Sequence, residues 1–128
     1  MIPKKILIID DDKDYSMLLM EHLEAISNFE VFTAPTGKDG LRLAKKIKPN
    51  LVILDIMMPG MDGFETLEKL KKDTATVAIP VIMLTAKTDD FSKTKAAQLY
   101  NELYLTKPID ARELKTKIDL IFKRRGEE

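Results

Sequence analysis

The sequence predicts an α/β fold in which five parallel strands alternate with five helices in one open, doubly wound sheet. Short apolar blocks recur along the 128-residue chain, and longer amphipathic stretches separate them. Three of the blocks are apolar at every position, which is typical of parallel strands covered on both faces. A closed eightfold barrel needs about 250 residues, so an open sheet with right-handed crossovers is favoured.

The predicted strands are the apolar blocks, each of which ends at a polar residue long before a helix would. A core helix could begin in the same way, but it would continue for ten residues or more. The strands are expected at residues 6–9, 31–32, 51–54, 81–84 and 103–105, and the last is the weakest.

The first three helices are predicted from apolar periodicity and from capping residues. Thr36 opens the second helix, with Asp39 three residues later, and Pro49 stops it. Asp62 is expected to cap the third helix. Asp12 is expected to be a cap of the first helix or a solvated charge rather than a metal ligand. One face of the first helix is predicted from Tyr15, Leu18, Leu19, His22, Leu23 and Ile26; that of the third, from Phe64, Leu67 and Leu70.

Two further helices complete the predicted alternation. The fourth is weak and spans residues 89–99, with Phe91 as its clearest apolar anchor. The last opens with a capping box, in which Glu113 follows Asp110 at the required spacing. The buried stripe of this helix is predicted to be Leu114, Ile118, Ile121 and Phe122. We assign residues 1–124 to one domain and residues 125–128 to a charged tail or linker stub.

Composition excludes several kinds of site. The chain has no Cys, which rules out disulfides, thiolate zinc sites and a cysteine nucleophile. Its 21 basic and 21 acidic residues cancel, so no overall basic field would attract nucleic acid or an anionic membrane. The apolar run near the N-terminus is too short for a secretory signal. We therefore expect a cytoplasmic protein without direct nucleic-acid or membrane binding.

Acidic and basic side chains follow the predicted strands. Asp10 and Asp11 follow the first strand, Asp55 the third, Thr85 the fourth and Lys107 the fifth. The carboxyl ends of parallel strands meet at one edge of the sheet, where such folds place their sites. Carboxylates gathered there would repel one another, and Mg²⁺, which prefers oxygen ligands, would relieve the repulsion. A carboxylate can also be a nucleophile that accepts a phosphoryl group, so the set indicates phosphoryl chemistry on an aspartate.

Four segments carry a resemblance to a known family. They are residues 5–12, 54–64, 79–87 and 104–108, in this order and at the family's spacing. Over its whole length the chain resembles the receiver domain of bacterial two-component response regulators, including the chemotaxis regulators. The resemblance implies a flavodoxin-like sheet with strand order 2-1-3-4-5.

The resemblance also implies a role for each site residue. Asp55 corresponds to the phosphoacceptor and is also expected to be a metal ligand. Asp11 would hold Mg²⁺ (or Mn²⁺) directly, and Asp10 through water. Lys107 would pair with a phosphoryl oxygen, and its bond to Pro108 is expected to be cis. The remaining members of the set are the backbone carbonyl of Met57 as a metal ligand, the Thr85 hydroxyl as a phosphoryl partner, and Tyr104 as the aromatic switch residue.

The function implied is that of a phosphoaccepting signalling module, which catalyses only its own phosphorylation and dephosphorylation. The phosphoryl group would come from a phosphohistidine of a sensor histidine kinase or a histidine phosphotransfer domain. A downstream partner or output domain would meet the surface formed by the fourth helix, the fifth strand and the last helix. Residues 99–102 lack the small-residue turn usual in the family, and Tyr100 and Asn101 put the usual partner geometry in doubt.

Four other functions compete with this one. The chain could be a phosphorelay intermediate or a scaffold without a coupled switch, although no acid and no lysine of the set is lost. An aspartyl-phosphate phosphatase would require a second Asp two residues after the nucleophile, where this chain has Met57. A flavin-binding module would require a phosphate-binding loop after the first strand, where three consecutive Asp residues would repel the cofactor.

Overall fold

The computed structural model describes residues 2–56, 58, 60, 62–85 and 103–126, with only the backbone for Thr85. Its five strands form one parallel sheet in the order β2-β1-β3-β4-β5, which confirms the predicted fold class and strand order. The strands are β1 (Lys5–Ile9), β2 (Glu30–Ala34), β3 (Leu51–Asp55), β4 (Val81–Thr85) and β5 (Leu103–Thr106). The helices of the described residues are α1 (Lys13–Ile26), α2 (Gly37–Ile47), α3 (Gly63–Lys72) and the C-terminal helix (Ala111–Arg124).

The core forms two layers, one on each face of the sheet. Alternate strand residues point to opposite faces, so Ile8 and Ile53 join one layer while Ile9 and Leu54 join the other. The first layer packs under α1 and the C-terminal helix, and the second under α2 and α3. All five residues of β3 are buried, as a continuous apolar block predicts. The sheet is therefore a rigid platform whose carboxyl edge carries the site.

The predicted caps are confirmed. Asp12, Thr36, Asp62 and Asp110 are the N-cap residues of α1, α2, α3 and the C-terminal helix. Each side-chain oxygen accepts a hydrogen bond from a backbone N–H of the first turn, at distances of 2.7–3.0 Å. The predicted buried stripe of the C-terminal helix is also confirmed. Three of these caps follow a strand closely, so they fix where the chain leaves the sheet edge.

The buried face of α1 differs from the predicted one. Ser16, Leu19 and Leu23 face the sheet, whereas His22 is exposed and Leu18 is 53% exposed. The 3–4 residue repeat fits two neighbouring stripes of the helix, one through Ser16, Leu19 and Leu23 and one through Leu18 and His22. The small side chain of Ser16 allows the first stripe to approach the sheet. The other stripe borders a groove with the loop after β5, lined by Tyr15, Leu18, Leu19, His22 and residues 108–111.

Strand ends also differ from the predicted limits. β2 is longer than predicted at both ends, because its outer residues pair with β1 although they are not all apolar. Asp55 and Thr85 are the last residues of β3 and β4 rather than the first residues after them. The predicted fourth helix, residues 89–99, and the two residues after it, Tyr100 and Asn101, lie outside the described residues. None of the helices in the described ranges is long and apolar enough to span a membrane.

Candidate functional site

Three carboxylates meet at the carboxyl edge of the sheet. Asp10 directly follows β1, Asp55 ends the neighbouring β3, and Asp11 begins the turn into α1. One oxygen from each lies within 4.8 Å of the others. Asp10 and Asp55 are buried, with 2% and 5% of their surface exposed, and Asp11 is exposed. The structure thus brings together the three predicted metal ligands whose side chains it describes.

Lys107 reaches the same cluster from the end of β5. Its Nζ lies 2.6 Å from Asp10 Oδ2 and 3.7 Å from Asp55 Oδ1. The lysine side chain is 16% exposed, so water screens these pairs only weakly. The bond between Lys107 and Pro108 is cis, as predicted. The ammonium group therefore sits between two buried carboxylates.

The charge balance of this cluster suits a divalent cation. Three carboxylates face a single ammonium group, so the group of four side chains has a net charge of about −2 when all are ionised. All donor atoms are oxygens, which hard cations such as Mg²⁺ prefer. Asp10 already uses both oxygens: Oδ1 accepts from Asp12 N at 2.9 Å, and Oδ2 pairs with Lys107. A cation would therefore reach Asp10 most readily through water, and Asp11 directly.

Tyr15 belongs to the site, although its apolar periodicity predicted only a place on the helix face. The Lys107 Nζ lies over its ring, 4.6 Å from the centroid. Its hydroxyl accepts a hydrogen bond from Ile109 N at 3.5 Å. No local sequence signal identifies the contact between Tyr15 and Lys107, because the two positions are 92 residues apart. Only the parallel arrangement of β1 and β5 around β3 and β4 brings them together.

Two ionisable groups of the site have raised pKa values. Burial alone would lower the pKa of Lys107, but its hydrogen bond to Asp10 and the charges of Asp55 and Asp10 outweigh burial and raise it. Burial raises the pKa of Tyr15, and this outweighs the opposing effects of Ile109 N–H and of Lys107. Lys107 is therefore held in its charged form and Tyr15 in its neutral form.

Alkaline pH is expected to destabilise the metal-free protein through these two groups. Because both pKa values are raised in the folded state, the folded protein holds protons that the unfolded chain releases. Their stabilisation is complete below the ordinary pKa values of 10.0 and 10.5, and is lost as pH rises through the folded-state values. Urea unfolding from pH 7 to pH 11 should show a decline beginning near pH 10. The decline should be smaller in a Tyr15→Phe variant; an equal decline would contradict the Tyr15 contribution.

Gly63, the first residue of α3, lies close to the backbone at the end of β3. Gly63 N donates to Ile56 O at 2.9 Å, and a Cβ at Gly63 would lie 2.5 Å from Asp55 O. Gly60, three residues before Gly63, has a φ of +74°, which glycine adopts without strain. The two glycines therefore serve backbone geometry, as predicted from the turn, and Gly63 does so by lacking a side chain beside the backbone of Asp55.

The remaining predicted site residues are placed only in part. Met57 and the Thr85 side chain lie outside the described part of the chain. The backbone of Thr85 ends β4 and pairs with Thr106 of β5. Tyr104 lies in β5 opposite Met83, and its partly buried ring packs against the core layer under α2 and α3. The two predicted switch positions are thus on neighbouring strands.

Comparisons with known proteins agree with this site. The model of the response regulator receiver domain family matches residues 6–119. The chain is 37% identical to the alkaline phosphatase synthesis transcriptional regulatory protein PhoP of Bacillus subtilis, over 94% of this chain and 49% of PhoP. It is 38% identical to protein PilH of Pseudomonas aeruginosa, over 91% of this chain and 96% of PilH.

A solved structure supports the same assignment. A CheY-like response regulator receiver domain protein from Methanospirillum hungatei superposes with a TM-score of 0.90, at 30% identity and with 98% of each chain covered. The chain spans about half the length of PhoP but nearly all of PilH. Sheet order, the acidic cluster and the family match all agree, and the chain belongs to the response regulator receiver domain family.

Proposed function

We propose that this receiver domain accepts a phosphoryl group on Asp55 in a Mg²⁺-dependent reaction and uses it to change a partner surface. The observation that carries the proposal is the buried Asp55 carboxylate, which lies within 4.8 Å of two other carboxylates and 3.7 Å from the Lys107 ammonium. In this proposal, the phosphodonor would meet the Asp55 carboxylate at the carboxyl edge of the sheet. The chemistry modifies the domain itself and turns over no other substrate.

The transfer step forms one bond and breaks another. A carboxylate oxygen of Asp55 attacks the phosphorus of a phosphohistidine, and the P–N bond to the imidazole breaks. The leaving imidazole keeps the electron pair and takes up a proton. Lys107 lies close enough to both Asp10 and Asp55 to pair with a phosphoryl oxygen after a small movement. A positive group fixed beside the acceptor stabilises the charge of the transferring group.

Asp11, Asp55 and, through water, Asp10 would hold Mg²⁺ (or Mn²⁺) in this proposal, with the Met57 carbonyl as a further ligand. The ion would supply positive charge beside the phosphoryl oxygens. Binding to the folded state alone would also stabilise the fold by mass action.

An Asp11→Asn variant tests the metal ligands. The exposed Asp11 is the one carboxylate of the three that is not buried, so its replacement should leave the fold intact. We expect Mg²⁺ affinity to fall at least tenfold, because one charged ligand becomes a neutral one. Thermal unfolding across a Mg²⁺ titration measures this. Asp14→Asn, also exposed but in the first turn of α1, is the control and should bind as the wild type does. Equal affinity of the Asp11 variant would contradict the assignment.

The donor proposed is a sensor histidine kinase or a histidine phosphotransfer domain. The proposed downstream surface includes β5 and the C-terminal helix, together with the predicted fourth helix. Two kinds of relative support different outputs: the PhoP match covers half of a transcriptional regulatory protein, and the PilH match covers nearly a whole chain. A separate partner protein or a fused output domain would both meet the same surface.

The switch proposed couples Asp55 to Tyr104 through Thr85. A phosphoryl group would offer the Thr85 hydroxyl a new acceptor, and movement of Thr85 would change the space beside Tyr104 on the neighbouring strand. We expect a stable phosphoryl mimic, beryllofluoride, to shift the NMR signals of Thr85, Tyr104 and residues 87–103. Thr85→Ala should reduce the distant shifts while Asp55 remains modifiable. Shifts confined to the metal site would indicate a relay intermediate or scaffold without a coupled switch.

The experiment that tests the function uses a small phosphodonor with Mg²⁺ and no kinase. Intact-mass measurement should show the gain of one phosphoryl group, and chelation of Mg²⁺ should prevent it. The modification should be labile in base, as acyl phosphates are. Absence of any gain, with folded protein and Mg²⁺ present, would contradict the proposal and favour a scaffold.

A further inference from the structure

The Lys107 ammonium contacts two kinds of group, and only one of them is acidic. Asp10 and Asp55 lie at 2.6 and 3.7 Å from Nζ. The Tyr15 ring centroid lies 4.6 Å from the same atom. A cation over an aromatic face at this distance is attracted by the negative charge density of the ring. The ring therefore adds a third attraction that favours one position of the ammonium.

We propose that Tyr15 is a positioning residue, whose ring holds the Lys107 ammonium at the acceptor carboxylate for phosphoryl transfer. This inference rests on the proposed function and adds to it a residue on α1. Lysine has a flexible four-carbon stem, so its ammonium occupies one place only when the surroundings fix it. A fixed ammonium meets the phosphoryl oxygens without first losing side-chain freedom, which favours transfer.

The ring is itself anchored. Its hydroxyl accepts from Ile109 N, two residues beyond Lys107, so one side chain contacts both the ammonium and the backbone that follows it. Tyr15 lies in the first turn of α1, where its backbone N donates to Oδ1 of the N-cap residue Asp12 at 3.0 Å. The first turn of α1 therefore links the acidic turn after β1 to the lysine after β5.

A second lysine–aromatic contact in the described residues provides a comparison. Lys4 Nζ lies over the Phe122 ring at 5.3 Å, at the opposite edge of the sheet and away from the acidic cluster. The Tyr15 contact is shorter, and the cation that it holds is also bound by two buried carboxylates. The contact at the site is thus more than the packing of a lysine stem on a nearby ring.

The test compares Tyr15→Leu, which removes the aromatic face, with Tyr15→Phe, which keeps it. In the wild type, the ring current should move the Lys107 ε-methylene proton signals upfield, and this shift is measured without any variant. Tyr15→Phe should retain the shift, and Tyr15→Leu should lose it. With a small phosphodonor and Mg²⁺, the Tyr15→Leu phosphorylation rate should fall about threefold to thirtyfold, the range expected for one cation–π contact. Tyr15→Phe should stay near the wild-type rate.

Leu18→Ala is the control, since Leu18 is an aliphatic residue of the same helix, 53% exposed, with no aromatic face to offer Lys107. It should leave both the shift and the rate unchanged. A wild-type protein without the upfield shift, or a Tyr15→Leu protein that reacts at the wild-type rate, would overturn the inference. Loss of rate in Tyr15→Phe with the shift retained would also overturn it, because the hydroxyl would then be responsible. If the wild type accepts no phosphoryl group, the proposed function fails instead, and the shift still decides whether Tyr15 holds Lys107.

Discussion

Replacing Asp55 with Asn is expected to reduce phosphoryl incorporation to below detection. The amide has nearly the shape of the carboxylate, but its oxygen is a poor nucleophile and it cannot form an acyl phosphate. Asp55 is buried at the end of a fully buried strand, so the isosteric change should preserve the fold. Removing one of three clustered negative charges should also leave the metal-free protein at least as stable as the wild type. Intact-mass measurement after incubation with a small phosphodonor and Mg²⁺ gives the result.

Asp12→Asn is the matched control for Asp55→Asn. Asp12 is exposed, lies outside the acidic cluster and caps α1, and Asn is an equally good N-cap residue. This variant should be phosphorylated as the wild type is. Undiminished labelling of Asp55→Asn would show that another residue is the acceptor.

Replacing Lys107 with Ala is expected to have the second largest effect, and it should affect both stability and transfer. The change leaves Asp10 and Asp55 buried without their shared cation. Removing one partner of a buried ion pair costs about 3–5 kcal/mol, and the position at the sheet edge places this case at the lower end. In saturating Mg²⁺ the loss should shrink, because the ion would neutralise the same carboxylates. Urea unfolding with and without Mg²⁺ measures the loss of stability in each condition, and intact-mass measurement after incubation with a small phosphodonor measures the loss of transfer.

Lys115→Ala is a control with the same ion-pair distance. Lys115 Nζ lies 2.6 Å from Asp119 Oδ2, as Lys107 Nζ does from Asp10 Oδ2, but the two side chains of the helix pair are 33% and 49% exposed, against 16% and 1% at the site. Its loss should cost at most about 0.5 kcal/mol and leave transfer unchanged. If both lysine variants lose equally little, burial does not strengthen the Lys107 pair and the electrostatic description of the site is wrong.

The fold could be predicted from the sequence because its strongest signals are local. β3 and β1 are blocks of apolar residues, and the four N-cap residues that the structure shows are short-range patterns. The rule that sites lie at the carboxyl ends of parallel strands then placed Asp10, Asp55 and Lys107 at one edge. Their proximity along that edge depends on the strand order 2-1-3-4-5, which the resemblance to receiver domains implied.

The structural details that could not be predicted from the sequence depend on tertiary packing. Helical periodicity fitted two stripes of α1, and only packing against the sheet selects Ser16 over Leu18 as a buried position. Likewise, the contact between Tyr15 and Lys107 needs the first turn of α1 and the segment after β5 to approach each other in space. No periodicity or motif encodes that approach. Lys107 Nζ is also about 1 Å closer to Asp10 than to Asp55, and the spacing of residues along the sequence cannot predict so small a difference.

The most direct measurement is chemical mapping of the phosphorylated residue. Wild-type protein would be phosphorylated with a small phosphodonor and Mg²⁺, reduced with borohydride and digested for peptide mass analysis. Borohydride converts an aspartyl phosphate to homoserine, so we expect one such change, at Asp55. The same change at Asp10 or Asp11, or a phosphoryl group on His22, would contradict the assignment of Asp55 as the phosphoacceptor.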